Sequence, residues 1–169
     1  TKMIIQGKDY VYASVRDNTE VVKLYKTIKQ QAMTDELTGL ANRKSYNNMI
    51  ENMVAQYYRY QSMFTFILFD IDHFKTINDT YGHDKGDEVL IKLAAIVNST
   101  IRQTDHFFRI GGEEFVILSP DTTSTQAAIL AEKVRKAIED QMYYMLNRPI
   151  TISMGVTEII DNDTVGTVF

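Results

Sequence analysis

The 169-residue chain contains no cysteine, which excludes disulfides and cysteine-ligated zinc or iron–sulfur sites. That absence suits a reducing compartment, and a cytoplasmic location is the expectation. An excess of basic residues is missing too, since 18 Lys and Arg stand against 22 Asp and Glu for a formal charge of −4. The electrostatic footprint of a nucleic-acid partner is therefore lacking. No apolar run approaches the ~20 residues that span a bilayer, so no membrane contact is expected from this segment. The start, Thr1–Lys2–Met3–Ile4, has neither a signal-peptide layout nor an initiator methionine. It reads as cut from a longer chain, which could be membrane-anchored upstream. Internal repeats and low-complexity tracts are also missing. What is present, at 44% hydrophobic content, fits one globular domain with a short appendage.

Asp9 to Arg16 alternates polar and β-prone residues, which predicts one strand. A lone strand is not stable, so this one is read as the end of a preceding domain. Asp17, Asn18 and Thr19 offer helix caps, and Val21, Leu24, Tyr25, Ile28 and Ala32 then mark one helical face. That face is either a short coiled-coil seam between two chains or a surface packed on its own domain. Met33 to Arg43 holds a short helical turn closed by Gly39, with Asn42 set to cap a second helix. That helix turns Tyr46, Met49, Ile50, Met53, Val54 and Tyr57 inward. Met63 to Ile71 is nearly continuous apolar sequence with an acid near its end, the pattern of a central strand buried on both faces. Past a loop, Val89, Leu90, Leu93, Ile96 and Val97 stripe another helix that begins near Asp84 or Gly86. Phe107–Ile110, the pair Gly111–Gly112, and Phe115–Leu118 predict a β-hairpin. Ala127 to Ile138 predicts a helix with Ala128, Ala131, Val134 and Ile138 inward, and Ile150, Ile152, Met154 and Val156 alternate as a half-buried strand does. This order gives an α+β fold, a central, mainly antiparallel sheet flanked by helices in a ferredoxin-like arrangement.

Two pairs of acids stand out. Asp70 and Asp72 close the apolar strand, where a carboxylate is costly unless paired, protonated or bound to a cation. Glu113 and Glu114 come directly after the glycine pair, and glycines there permit a tight turn and close approach of a ligand. If the hairpin lies beside the central strand, Asp70 and Glu113 converge. Clustered carboxylates without His or Cys favour a hard cation, Mg²⁺ or Mn²⁺. Such a site suits phosphoryl or nucleotidyl transfer. Lys75 and the amides after Asp72 could hold terminal phosphates. Taken singly, each pair also reads as a charged hairpin tip or a helix cap.

The motifs go further. Gly111–Gly112–Glu113–Glu114–Phe115 matches G-G-D/E-E-F, and Phe69 to Leu90 (FDIDHFKTINDTYGHDKGDEVL) closely matches D-x-D-x-F-K-x-I/V-N-D-x-x-G-H-x-x-G-D-x-x-L. Asp35 to Arg43 (DELTGLANR) and Ser153–Met154–Gly155–Val156 match an opening D-x-L-T-G-L-x-N-R and a late S-x-G-I/V. Over residues 33–157 the chain thus resembles the diguanylate cyclase (GGDEF) family. The resemblance implies a nucleotide-cyclase palm-like fold that joins two GTP into cyclic di-GMP. It implies Mg²⁺ held by Asp70, the Ile71 carbonyl and Glu113, with Glu114 assisting the metal or serving as the base and Glu113 itself a candidate proton acceptor. Asn78 and Asp87 match guanine-reading positions, and His83, Lys75 and the amides of His73 and Phe74 match contacts to ribose and phosphate. Asp72 is left as a structural neighbour.

The resemblance also implies a homodimer, since each of two domains presents one GTP to the other, and it gives the Val21–Ala32 helix the task of aligning them. Residues 1–32 are accordingly read as the end of a PAS-like sensory domain plus a signalling helix, and 33–169 as the cyclase domain. Val15 to Glu20 resembles the D-I-T-E ending of PAS domains, with Asn18 in place of isoleucine. Arg102 and Asp105 fit the family's R-x-x-D inhibitory site for product, although R-x-x-D alone also reads as a helix end with solvated charges. A later family helix, with a lysine and an arginine for terminal phosphates, is not found before Phe169, so the cyclase domain is read as shortened at its C-terminus. A non-catalytic cyclic di-GMP receptor and a dimerising signalling module are the alternatives. An adenine substrate is disfavoured by Asn78 and Asp87.

Overall fold

The computed structural model of the chain describes residues 2–5, 8–11, 33–146, 148–161 and 163. It divides into two compact units, Thr1–Gln31 and Ala32–Phe169. In the first, β1 (Lys2–Ile5) and β2 (Lys8–Val11) pair as an antiparallel hairpin. The sequence predicted one strand over Asp9–Arg16, whereas the observed one begins at Lys8 and has a partner. Four residues (KMII) are too few to show a period. Positions 12–16 and the predicted Val21–Ala32 helix lie outside the described residues.

The second unit opens with a turn in which the Gly39 amide donates to the Asp35 carbonyl at 2.9 Å. Gly39 takes φ 71° there, a left-handed value that glycine adopts without strain. β3 (Ala41–Asn42) leads into α1 (Arg43–Tyr60), and the Asn42 side chain caps it by accepting from the Lys44 and Ser45 amides. Next in chain order come β4 (Phe64–Ile71), α2 (Phe74–Tyr81), α3 (His83–Thr100), β5 (His106–Arg109), β6 (Glu114–Pro120), α4 (Ser124–Met142) and β7 (Ile152–Glu158). The five strands of the sheet run in the order β3-β5-β6-β4-β7. β3 is parallel to β5, and every other pairing is antiparallel.

Because side chains alternate along a strand, the sheet feeds two cores. Phe64, Phe66, Val116 and Leu118 meet Tyr46, Ile50 and Tyr57 of α1 on one face. Ile67, Phe69, Phe115 and Ile117 meet Val89 and Leu93 of α3 and Val134 and Ile138 of α4 on the other. Each such side chain contributes about 1.5–3 kcal/mol by leaving water. β4 is therefore buried on both faces as its composition indicated, although β6 holds the middle of the sheet and β4 lies between it and β7.

Three details differ from the sequence reading. The loop expected after Ile71 contains α2, which buries only Phe74 and Ile77; its Asn-Asp-Thr run is turn-forming by composition. Ala128 is exposed and Ala127 is buried instead, because the seam through Ala131, Val134 and Ile138 extends back by four. Burial fades along β7 from Ile152 to Val156, since β4 alone pairs with it among the described strands.

Candidate active site

The acids of the central strand and of the hairpin meet at one end of the sheet. Pairing of β4 with β6 sets Asp70 opposite Glu114, and pairing with β7 sets it opposite Ser153. Glu113 stands one step before β6, at the hairpin tip. The tip is held from below by Phe115, which is fully buried and stacks on Phe69 at 5.4 Å and Phe107 at 5.7 Å. The turn closes through the Ile110 amide, which donates to the Glu114 carbonyl at 3.0 Å. At Gly111 a Cβ would meet the Glu114 side chain, whose carboxylate would have to move aside.

Arg109 fixes the tip from the side. Its Nη2 donates to the Gly112 carbonyl at 2.7 Å and its Nη1 to Asp35 Oδ1 at 2.9 Å. The same Asp35 oxygen accepts from the Thr38 hydroxyl at 2.6 Å. Burial pushes the Asp35 carboxyl up in pKa, but hydrogen bonds from Thr38 and Arg109 outweigh it and hold the group below its ordinary value. The D-x-L-T-G-L segment thus buttresses the G-G-E-E-F hairpin across 74 residues of chain. Nothing in either segment alone reveals this pair.

The side chains of Asp70, Glu113 and Glu114 make no hydrogen bond or ion pair among the described residues. Asp70 and Glu114 stand opposite each other without a cationic partner among the described residues, and unengaged carboxylate oxygens are the donor type a divalent cation takes. No three His, Cys, Asp or Glu side chains among the described residues are gathered to hold an ion by themselves. Two carboxylates and the Ile71 carbonyl at the end of β4 are the hard oxygen donors on offer, and they fit Mg²⁺, which keeps waters and substrate oxygens as its remaining ligands.

Asp72 has a different environment. Its Oδ1 accepts from the Ser153 hydroxyl and its Oδ2 from the Thr151 hydroxyl, both at 2.6 Å. Those bonds hold its carboxyl below the ordinary pKa. Beyond it, His73 takes φ 58° and α2 begins with no side-chain cap. Lys75 and His73 are exposed, while the Phe74 side chain is buried, so Phe74 can meet a ligand only through its amide. α2 and α3 meet at Gly82, and Asn78, His83 and Asp87 lie on the two helices beside that junction. Gly86 serves Asn78: a Cβ at Gly86 would collide with the Asn78 side chain. Asp87 and His83 are exposed and Asn78 is half-buried.

Arg102 and Asp105 close a turn between α3 and β5. The Arg102 amide donates to Asp105 Oδ2 at 2.8 Å, and the Asp105 amide donates to the Arg102 carbonyl at 3.1 Å. Asp105 is buried and Arg102 exposed, so the guanidinium is not spent on the neighbouring acid. A pocket of about 140 Å³ beside them is also lined by Gln126 and Lys133. The sequence reading did not single out Lys133, because one lysine on an exposed helical face carries no local signal.

The family model for "Diguanylate cyclase, GGDEF domain" matches residues 32–169. Diguanylate cyclase DgcM of Escherichia coli is 38% identical over 165 residues, spanning 98% of this chain and 40% of the relative. This chain thus covers well under half of that relative's length. Among solved structures, the coiled coil and GGDEF domain of DgcB from Caulobacter crescentus in complex with c-di-GMP superposes with a TM-score of 0.81 at 27% identity, covering 88% of this chain and 81% of that one. The active GGEEF domain of a diguanylate cyclase from Vibrio cholerae gives a TM-score of 0.69 at 36% identity, covering 74% and 80% of the two chains.

Proposed function

The chain belongs to the diguanylate cyclase GGDEF domain family, and from that membership we propose that it condenses two GTP into cyclic di-GMP with release of two pyrophosphates. The observation that carries this reading is the partnerless acidic rim of Asp70, Glu113 and Glu114 beside an uncapped helix start. Each 3′-oxygen bonds to the α-phosphorus of the opposite nucleotide and gives its proton to a carboxylate, while pyrophosphate leaves. Glu113 or Glu114 accepts that proton. Asp70, the Ile71 carbonyl and Glu113 would hold Mg²⁺ or Mn²⁺, and the ion would supply neutralisation of phosphate charge and a lowered pKa for the attacking hydroxyl. The His73 and Phe74 amides and Lys75 take the phosphates, and His83 lies near the ribose. Asp87 accepts from the N1–H and exocyclic amine of guanine with Asn78 beside it, donors that adenine does not offer in that pattern.

One bound GTP supplies half a product, so the active form is a homodimer, aligned by the Val21–Ala32 helix, with residues 1–32 the end of a PAS-like sensory domain plus that signalling helix and 33–169 the cyclase domain. Product binds at Arg102 and Asp105 and slows turnover, since a guanidinium fork pairs with phosphate and guanine edges. GTP supply places the domain in the cytoplasm. The first experiment is incubation of the chain, and of the full-length protein, with GTP and Mg²⁺, then chromatography of the products. Cyclic di-GMP from the parent and none from Glu113→Gln is the expected result. Silence from the full-length protein, with cyclic di-GMP still bound, would make this a receptor.

A further inference from the structure

The D-x-D motif sets two carboxylates two residues apart at the end of β4, and the structure treats them oppositely. Asp70 has no protein partner among the described residues. Asp72 spends both oxygens on β7 and its approach: Thr151 Oγ1 donates to Oδ2 and Ser153 Oγ to Oδ1, each at 2.6 Å. Its amide donates to the Thr151 carbonyl at 3.0 Å. With both oxygens engaged by hydroxyls, Asp72 is poorly placed to serve as a metal ligand. It is equally removed from the start of α2, one residue ahead of the capping position. His73 occupies the capping position in a left-handed conformation, and no side chain bonds the first amides of α2.

We propose that Asp72, Thr151 and Ser153 form a latch that positions the phosphate turn. By clasping the turn to β7, the latch aims the Ile71 carbonyl and the first amides of α2 outward, and withholds from those amides the carboxylate that would otherwise occupy them. β7 itself is registered on β4 at the same level, with Ser153 opposite Asp70 and Ile152 opposite Ile71. The turn therefore keeps its shape only if both strands hold it. Asp72 is thus a positioning residue, and Ser153, the serine of the S-x-G segment, acts through it. The latch rests on the proposed nucleotide site.

Two variants separate a latch from a ligand. Asp72→Ala removes the carboxylate; the double variant Thr151→Val/Ser153→Ala keeps it and removes only its donors. Binding of a non-hydrolysable GTP analogue with Mg²⁺ is measured by calorimetry, and amide hydrogen exchange over 72–77 by mass spectrometry, on the full chain. A latch predicts that both variants lose affinity by roughly tenfold, the scale of charge-assisted hydrogen bonds. It also predicts that the combined triple variant is no worse than either. Exchange over 72–77 rises in both variants while the core of β4 and β6 stays protected. In turnover, the loss falls on KM more than on kcat. Unchanged affinity in the double variant with loss in Asp72→Ala would make Asp72 a direct ligand and overturn the latch. Should the parent chain itself bind no analogue, the nucleotide reading fails, and the exchange data alone decide the latch: unaltered exchange in both variants overturns it.

Discussion

The anchored acids Asp35 and Asp72 and the rim acids Asp70, Glu113 and Glu114 belong to the same end of one sheet, yet they live in different physical settings. Asp35 accepts from Thr38 and Arg109, and Asp72 from Thr151 and Ser153. Their charges are consumed in holding loops. The rim acids find no such donors among the described residues, so their oxygens remain available to something outside the chain. Residue type does not separate the two groups. Folding spends the donors on the acids that shape the turns and leaves the rim acids without protein partners among the described residues.

Breaking the rim is expected to have the largest effect. Asp70→Asn should cut product formation by about 10²–10⁴-fold, the scale lost with an acid–base or electrostatic group, while leaving the thermal midpoint unchanged because no protein partner of Asp70 among the described residues is lost. Chromatography and thermal denaturation of the same sample check both halves. A variant that unfolds instead would show Asp70 to be an anchor. Next comes the anchoring side. Arg109→Met strands Asp35 and the Gly112 carbonyl together and should cost roughly 1–3 kcal/mol in urea unfolding, with product formation falling as the tip loosens. Arg109→Lys should rescue little, since a single ammonium cannot reproduce the planar fork.

Away from both regions, Asn42→Ala removes a helix cap and should cost about 1 kcal/mol without altering nucleotide affinity. That variant serves as the control for mere destabilisation. The smallest effect concerns pH. The folded-state pKa of Asp35 is lowered, so its contribution is present above the unfolded value near ~3.9 and lost as pH falls through the folded one. Asp35→Asn should therefore flatten the decline of the urea midpoint below about pH 4. An unchanged slope would show that Arg109 and Thr38 stabilise the folded protein without favouring the charged form of Asp35.

Elements with a long stripe or an unbroken apolar run were legible in advance. α1 with its Asn42 cap, β4, the β5–β6 hairpin and α4 appear where the periodicity placed them. α2 was not legible, because two buried residues in eight do not make a period. The first glycine of the hairpin was expected to admit a ligand. In the structure it also makes room for the Glu114 side chain, a contact that depends on the side-chain path and not on spacing.

By itself the sequence determined most of the strand and helix pattern, the family, and which acids deserved notice, because periodicity and motif spacing are properties of the chain read locally. Only the tertiary structure decided which acid would be bare and which clasped. The bonds Arg109–Asp35, Thr151–Asp72 and Ser153–Asp72 cross 74, 79 and 81 residues. A hydrogen bond acts over about 3 Å, and only strand register brings such distant donors within that reach.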